Sequence, residues 1–138
     1  MPTYTRSEAR AWAREKLVGV ANVTIPTMTS SFKSLNEKAI RHDVETAIGH
    51  GFVGSLACSE VAMSMDEYGQ FCKIMVDQAQ GRMLTIHHAM FNTLEDNIEA
   101  VKIAETAGAE IFGLPLTFTA VQHEALRKFG DRVVAPPP

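Results

Sequence analysis

Phe91-Asn92-Thr93-Leu94-Glu95-Asp96-Asn97-Ile98-Glu99-Ala100, running on to Ala104-Glu105-Thr106-Ala107-Gly108-Ala109, is the stretch that decides the fold. Thr93 stands where a helix N-cap belongs. Glu95 and Asp96 follow in the first turn, where the helix dipole favours acidic groups. Leu94, Ile98 and Val101 recur at helical spacing, and Gly108 is the residue a left-handed C-cap prefers. Short apolar runs flank the helix, 83–88 before it and 109–114 after it. Strand, helix and strand within about 30 residues have the dimensions of a βαβ unit.

The same unit recurs toward the N-terminus. Ser64-Met65-Asp66-Glu67 is a capping box, followed by Tyr68, Phe71, Cys72, Met75 and Ala79 on one helical face and by Gly81 at the end. Ser34-Leu35-Asn36-Glu37 reads the same way and opens a helix carrying Ile40, Val44, Ala47 and Ile48, closed by His50-Gly51. Strand-like runs at 52–59 and 20–26 precede these helices. Short, continuously apolar strands of this kind suit a parallel sheet covered on both faces. Two segments break the rhythm. Residues 7–17 read as an extra helix bearing Trp12 and Leu17. The tail reads as a helix over 121–129 and a strand stub over 131–134, ended by Pro136-Pro137-Pro138. The fold class is therefore α/β, in one domain over 1–138: an extra helix in 1–18, four βα units in 19–115 and an atypical tail in 116–138.

Composition narrows the function classes. A chain of 138 residues fits one domain. The net charge of −3 and a pI of 5.9, with no basic stripe, argue against nucleic acid as a partner. Residues 1–6 lack the apolar core of a secretory signal, and no run of 18 apolar residues predicts a membrane span. Cys58 and Cys72 fall inside a strand and a helix, as small hydrophobes do in a reducing compartment, so a cytoplasmic location is expected. Seven scattered methionines read as core filler.

The order of these pieces resembles the N-terminal half of the dihydrodipicolinate synthase/N-acetylneuraminate lyase family, the class I aldolase-type barrels. The resemblance runs from about Gly19 to Pro115. It rests on the 91–109 stretch, where the family shows Asn and Thr after its third strand and a helix ending in Ala-Glu-x-x-Gly-Ala. It rests also on 36–54, where a helix runs into Gly51-Phe52-Val53-Gly54 and then a strand. The resemblance implies a partial (β/α)8 TIM barrel of four parallel strands with flanking helices, in a divergent branch with an extra N-terminal helix. It implies lyase chemistry on 2-oxo acids such as pyruvate, through a Schiff base on a lysine of strand 6, with a tyrosine of strand 5 relaying protons and with no cofactor.

This sequence departs from the family in three places. The usual Gly-Thr-Thr-Gly-Glu after strand 2 is here Ala57-Cys58-Ser59-Glu60, so the resemblance carries over Ser59 for carboxylate contact and Glu60 as the closing acid. Leu116-Thr117-Phe118 replaces the aromatic pair that follows strand 4. No residue matches the Schiff-base lysine: Lys16, Lys33, Lys38, Lys73, Lys102 and Lys128 all fall on expected helices or loops. The chain alone is accordingly expected to be inactive.

Functional residues of such barrels gather at the C-terminal ends of the strands. Glu60 and His88 are the candidate acid/base groups, and Ser59, Thr27, His87 and Asn92 the candidate substrate contacts. Each has a plainer reading: Ser59-Glu60 as a loop cap, a histidine as a satisfied structural group, Thr93 beside Asn92 as an N-cap. Adjacent strand residues face opposite sides, so only one of His87 and His88 can face the barrel interior. Glu60 and one histidine make two metal ligands where three or four are needed, so no metal site is expected. Cys58 is expected to be buried and inert. Two other functions compete with the Schiff-base lyase: a non-catalytic, self-associating half-barrel, and a metal-dependent lyase using Glu60 and a strand-3 histidine. A half-barrel leaves strand 1 with a bare edge and an uncovered inner face, so a homo-oligomer is expected.

Overall fold

The computed structural model describes residues 4–5, 7–59, 63–88 and 90–113. Eight elements follow in chain order: α1 (Ala9–Lys16), β1 (Ala21–Thr24), α2 (Glu37–Gly49), β2 (Gly54–Ala57), α3 (Met65–Ala79), β3 (Leu84–His88), α4 (Leu94–Ala107) and β4 (Ile111–Gly113). The strands form one parallel sheet in the order β1-β2-β3-β4. The extra helix, the three βα helices and the four strands are where the sequence places them. The tail helix and strand stub expected in 116–138 lie outside the described residues.

Local signals explain most boundaries. Ser64 accepts from the Glu67 amide while the Glu67 carboxylate accepts from the Ser64 amide, so α3 opens on a complete capping box. Thr93 caps α4 by accepting from the Asp96 amide at 3.0 Å, and Gly108 closes it in the left-handed region. The start of α2 differs from the reading of Ser34 as its cap. Asn36 takes that role, its Oδ1 accepting from the Ala39 amide. The reason is tertiary: Leu35 pairs with Met28 in an antiparallel bridge, and the Asn36 amide donates to the Thr27 carbonyl at 2.7 Å. Residues 34–35 are thereby held extended, and the helix waits two residues. The Gly51-Phe52-Val53-Gly54 motif also gains a cause. Gly51 turns the chain off α2 at φ +77°, and a Cβ at Gly54 would sit 3.1 Å from Ile86 Cδ1.

Register sorts the side chains into two sets. Asn22, Ser55 and Thr85 lie side by side, as do Thr24, Ala57 and His87. This set turns toward the helices, where Ala57 joins Ile40 and Val44 of α2 and Phe71 and Met75 of α3 in one buried cluster. A second cluster unites Tyr68 and Cys72 of α3 with Ala100, Val101 and Ala104 of α4. Thr24 and Ser55 satisfy each other beneath the helices, hydroxyl to hydroxyl at 2.7 Å. Val23, Leu56 and Ile86 alternate to the opposite side of the sheet. There Val23 is 53% exposed, and Leu56 and Ile86 are half-buried.

Two ties complete the frame. Glu45 of α2 accepts from Arg82 and Gln78, which join it to the end of α3, and those bonds hold its carboxyl down at about 2. At the other end, the Tyr4 hydroxyl donates to the Glu110 carbonyl just before β4, and its ring lies 4.3 Å from that of Trp12. The segment from Tyr4 through α1 thus runs from the start of β4 to the start of β1, along the N-terminal end of the sheet. Among the described residues, no helix is long and apolar enough to cross a membrane.

Candidate functional site

The C-terminal ends of β2 and β3 bring Ser59 and His88 together. Ser59 is 4% exposed, and its hydroxyl donates to the His88 carbonyl. The loop after β2 is thereby laid against the end of β3. His88 itself is half-buried at the last position of β3, on the side of the sheet away from the helices.

His87 goes the other way. It is fully buried beneath α3, its Nδ1 3.0 Å from Cys72 Sγ, with the Tyr68 ring edge-on at 6.4 Å. Burial lowers its pKa to about 4 and raises that of the Cys72 thiol to about 12, and it pushes the Tyr68 phenol up as well. A neutral imidazole beside a protonated thiol, closed from solvent, is packing and not a nucleophilic pair. This corrects the candidate role of His87 as a substrate contact: its register with Ala57 turns it into the helix layer. Cys58, expected to be buried, is partly exposed.

The other candidates are placed less closely. Thr27 is half-buried in the β1–α2 loop, which its carbonyl ties to Asn36. Asn92 is exposed in the β3–α4 loop. Glu60 lies outside the described residues. Among the described residues, no group of three or more His, Cys, Asp or Glu is arranged to hold a metal ion.

Sequence reasoning overlooked Asn97. It is fully buried on α4, accepts from the Phe91 amide at 2.9 Å, and donates to the carbonyls of Phe91 at 2.8 Å and Thr93 at 2.6 Å. It therefore shapes the loop that carries Asn92. The available signal was an amide on the face shared by Leu94 and Val101, where an unsatisfied polar group would be costly.

The arrangement offers a hydroxyl, an imidazole and an amide-bearing loop at one end of a parallel sheet, the end at which barrel sites form. Comparison with known proteins bears on the fold. The chain is 29% identical over 94 residues to 4-hydroxy-tetrahydrodipicolinate synthase of Methanosphaera stadtmanae, covering 65% of this chain and 32% of that protein. It is 30% identical over 80 residues to the synthase of Maridesulfovibrio salexigens, covering 55% of this chain and 27% of that one. The chain is similar to the N-terminal part of proteins of the dihydrodipicolinate synthase/N-acetylneuraminate lyase family. No family model matches it. Among solved structures of that family, the synthase of Methylacidiphilum fumariolicum SolV superposes with a TM-score of 0.74 at 14% identity, over 83% of this chain and 41% of that one. N-acetylneuraminate lyase from Fusobacterium nucleatum gives 0.72 at 16% identity, over 83% and 43%. The four strands and their helices are therefore a partial (β/α)8 barrel. The chain spans about a third of the length of the curated family members it matches.

Proposed function

We propose that this chain is the carboxylate-binding portion of an aldolase-type lyase that acts on 2-oxo acids of the pyruvate type, and that it is catalytically silent by itself. The observation that carries the reading is Ser59, held by its bond to the His88 carbonyl where the ends of β2 and β3 meet. Binding requires the hydroxyl to exchange a neutral carbonyl acceptor for a carboxylate. That exchange is favourable in kind, because hydrogen bonds to an ionised partner are roughly twice as strong as neutral ones. Asn92 and Thr27, on neighbouring loops of the same end, would meet the rest of the oxo acid, and His88 or Glu60 would serve as acid or base. In this reading the imine-forming lysine comes from outside the chain. The described lysines support that: Lys16, Lys38, Lys73 and Lys102 stand on helices, and Lys33 in the β1–α2 loop. Two free cysteines suit a cytoplasmic protein.

The test joins two measurements on the purified chain. Borohydride added with pyruvate should leave no covalent adduct in the mass spectrum; a reduced adduct on one of the chain's own lysines would refute catalytic silence. Pyruvate at millimolar concentration should shift the amide resonances of residues 58, 59 and 88, and Ser59→Ala should abolish the shift. Resonances that stay fixed at those positions would refute the carboxylate role.

A further inference from the structure

Just past the register pair Ala57 and His87, β2 and β3 set a second thiol beside a second imidazole. Ala57 and His87 both turn into the helix layer. Successive strand residues face opposite sides, so Cys58 and His88 turn together to the other side, the interior of the barrel. Strand geometry continues through Cys58, whose amide donates to the Thr24 carbonyl at 3.1 Å. The bond from the Ser59 hydroxyl to the His88 carbonyl fastens the two segments at this point. Neighbouring strands lie about 4.8 Å apart, so rotation about χ1 brings the thiol within reach of the imidazole. Both side chains are half-buried, unlike the sealed pair of Cys72 and His87. β2 and β3 each have a strand on both sides, so the pair does not sit at an edge of the sheet. Their C-terminal ends belong to the mouth of the barrel, the end at which sites form whatever strands complete it.

We propose that Cys58 and His88 form a dyad that captures the ketone carbon of a 2-oxo acid as a thiohemiketal. The inference rests on the carboxylate reading of Ser59 and adds the fate of the neighbouring carbonyl. In a 2-oxo acid the ketone carbon is bonded directly to the carboxylate, and in the chain Cys58 directly precedes Ser59. A carboxylate held by the Ser59 hydroxyl therefore brings the ketone to the end of β2, where Cys58 stands. The His88 imidazole takes the thiol proton as the sulfur attacks. The S–C bond forms while the π pair of the C=O bond moves to oxygen, and the imidazolium returns the proton to that oxygen. Nothing is oxidised or reduced and no group leaves, so the adduct reverts by the same path. Capture of this kind uses no lysine and gives no turnover, as the reading of a catalytically silent chain requires. Cys72, closed from solvent beneath the helices, meets no ligand in this way.

Carbon NMR of the full 138-residue chain with pyruvate isotopically labelled at its ketone carbon tests the dyad. A bound tetrahedral carbon, distinct from that of the free hydrate, should appear with the wild type and vanish with Cys58→Ser. Pyruvate should also protect Cys58 of the wild type from iodoacetamide, while the buried Cys72 stays unmodified with or without it. This measurement needs no variant and stands even where a substitution prevents folding. Exchange between the bound carbon and the free ketone, read by saturation transfer, should slow on the order of a hundredfold in His88→Ala. Added imidazole should restore it, a rescue that structural damage would not produce. An unchanged exchange rate in His88→Ala, or alkylation of Cys58 that pyruvate leaves untouched, would overturn the dyad. Pyruvate that shifts the Ser59 amide yet gives no Cys58-dependent tetrahedral carbon would overturn it too, and would leave the carboxylate contact standing. A tetrahedral carbon that survives Ser59→Ala would support the dyad and refute that contact.

Discussion

At the residue scale, two buried polar side chains set the sharpest expectations. His87 has its folded pKa lowered to about 4 by burial, against an unfolded value near 6.5. Its buried neighbours on α3 are Cys72 and Tyr68, both neutral throughout acidic pH. The unfolded chain binds the proton more readily than the folded one. Stability from this group is therefore complete above pH 6.5 and falls as pH drops toward 4, by on the order of 3 kcal/mol. Urea midpoints measured from pH 7 to 4 should show this fall, and His87→Gln should remove most of the slope in that window. Asn97 makes three hydrogen bonds from a fully buried amide. Asn97→Ala removes the side-chain partner of the Phe91 amide and carbonyl, while the Thr93 carbonyl keeps the backbone amide of residue 97, and should cost about 2–4 kcal/mol. It should also speed hydrogen exchange at Phe91 well beyond the exchange rates elsewhere in the sheet; unchanged exchange there would show that the loop is held by other means.

At the element scale, the two ends of α3 behave oppositely. Its N-terminus carries a reciprocal capping box, so Ser64→Ala should lower stability by about 1 kcal/mol. Its C-cap is Gln80 at φ +48°, a left-handed conformation that costs a residue with a side chain about 1 kcal/mol or more. Gln80→Gly relieves that strain and should raise the thermal midpoint, by the equivalent of about 0.5–1 kcal/mol after the entropy of the unfolded glycine is counted. Thermal melts of both variants at one protein concentration check the pair. Equal signs would show that α3 derives its stability from packing alone.

At the scale of the whole molecule, the sheet is held from one side. Ile40, Val44, Phe71 and Met75 are wholly buried against its helix face, while Leu56 and Ile86 on the other face are only half-buried. Phe71→Ala should cost about 3–5 kcal/mol, within reach of an entire domain's stability. Leu56→Ala removes fewer buried contacts and should cost less than half as much by urea unfolding. Similar costs would mean that the inner face is as well packed as the outer. In (β/α)8 barrels sites form at the C-terminal ends of the strands, the end at which Ser59 and His88 stand. A chain that packs its outer layer fully can keep Ser59 and His88 in place even where the inner layer is open.

Periodicity, caps and terminal glycines act over a few residues, so the sequence by itself determined the order of elements, the parallel sheet and the strand ends at or after which Ser59, His88 and Asn92 each fall. The capping box of α3 and the Thr93 cap of α4 were legible for the same reason. Tertiary structure decided the rest. Alternation says that His87 and His88 part company, but only the register of β3 against β2, which places His87 beside Ala57, says which one joins the helix layer. The pairing of His87 with Cys72 spans 15 residues, and that of Thr24 with Ser55 spans 31. No local pattern encodes such partners, because they meet only when separate strands and helices dock. The late start of α2 at Asn36 has the same origin: a bridge between Met28 and Leu35 overrides the nearer serine, since a hydrogen-bonded turn holds residues 34–35 extended before the helix can begin.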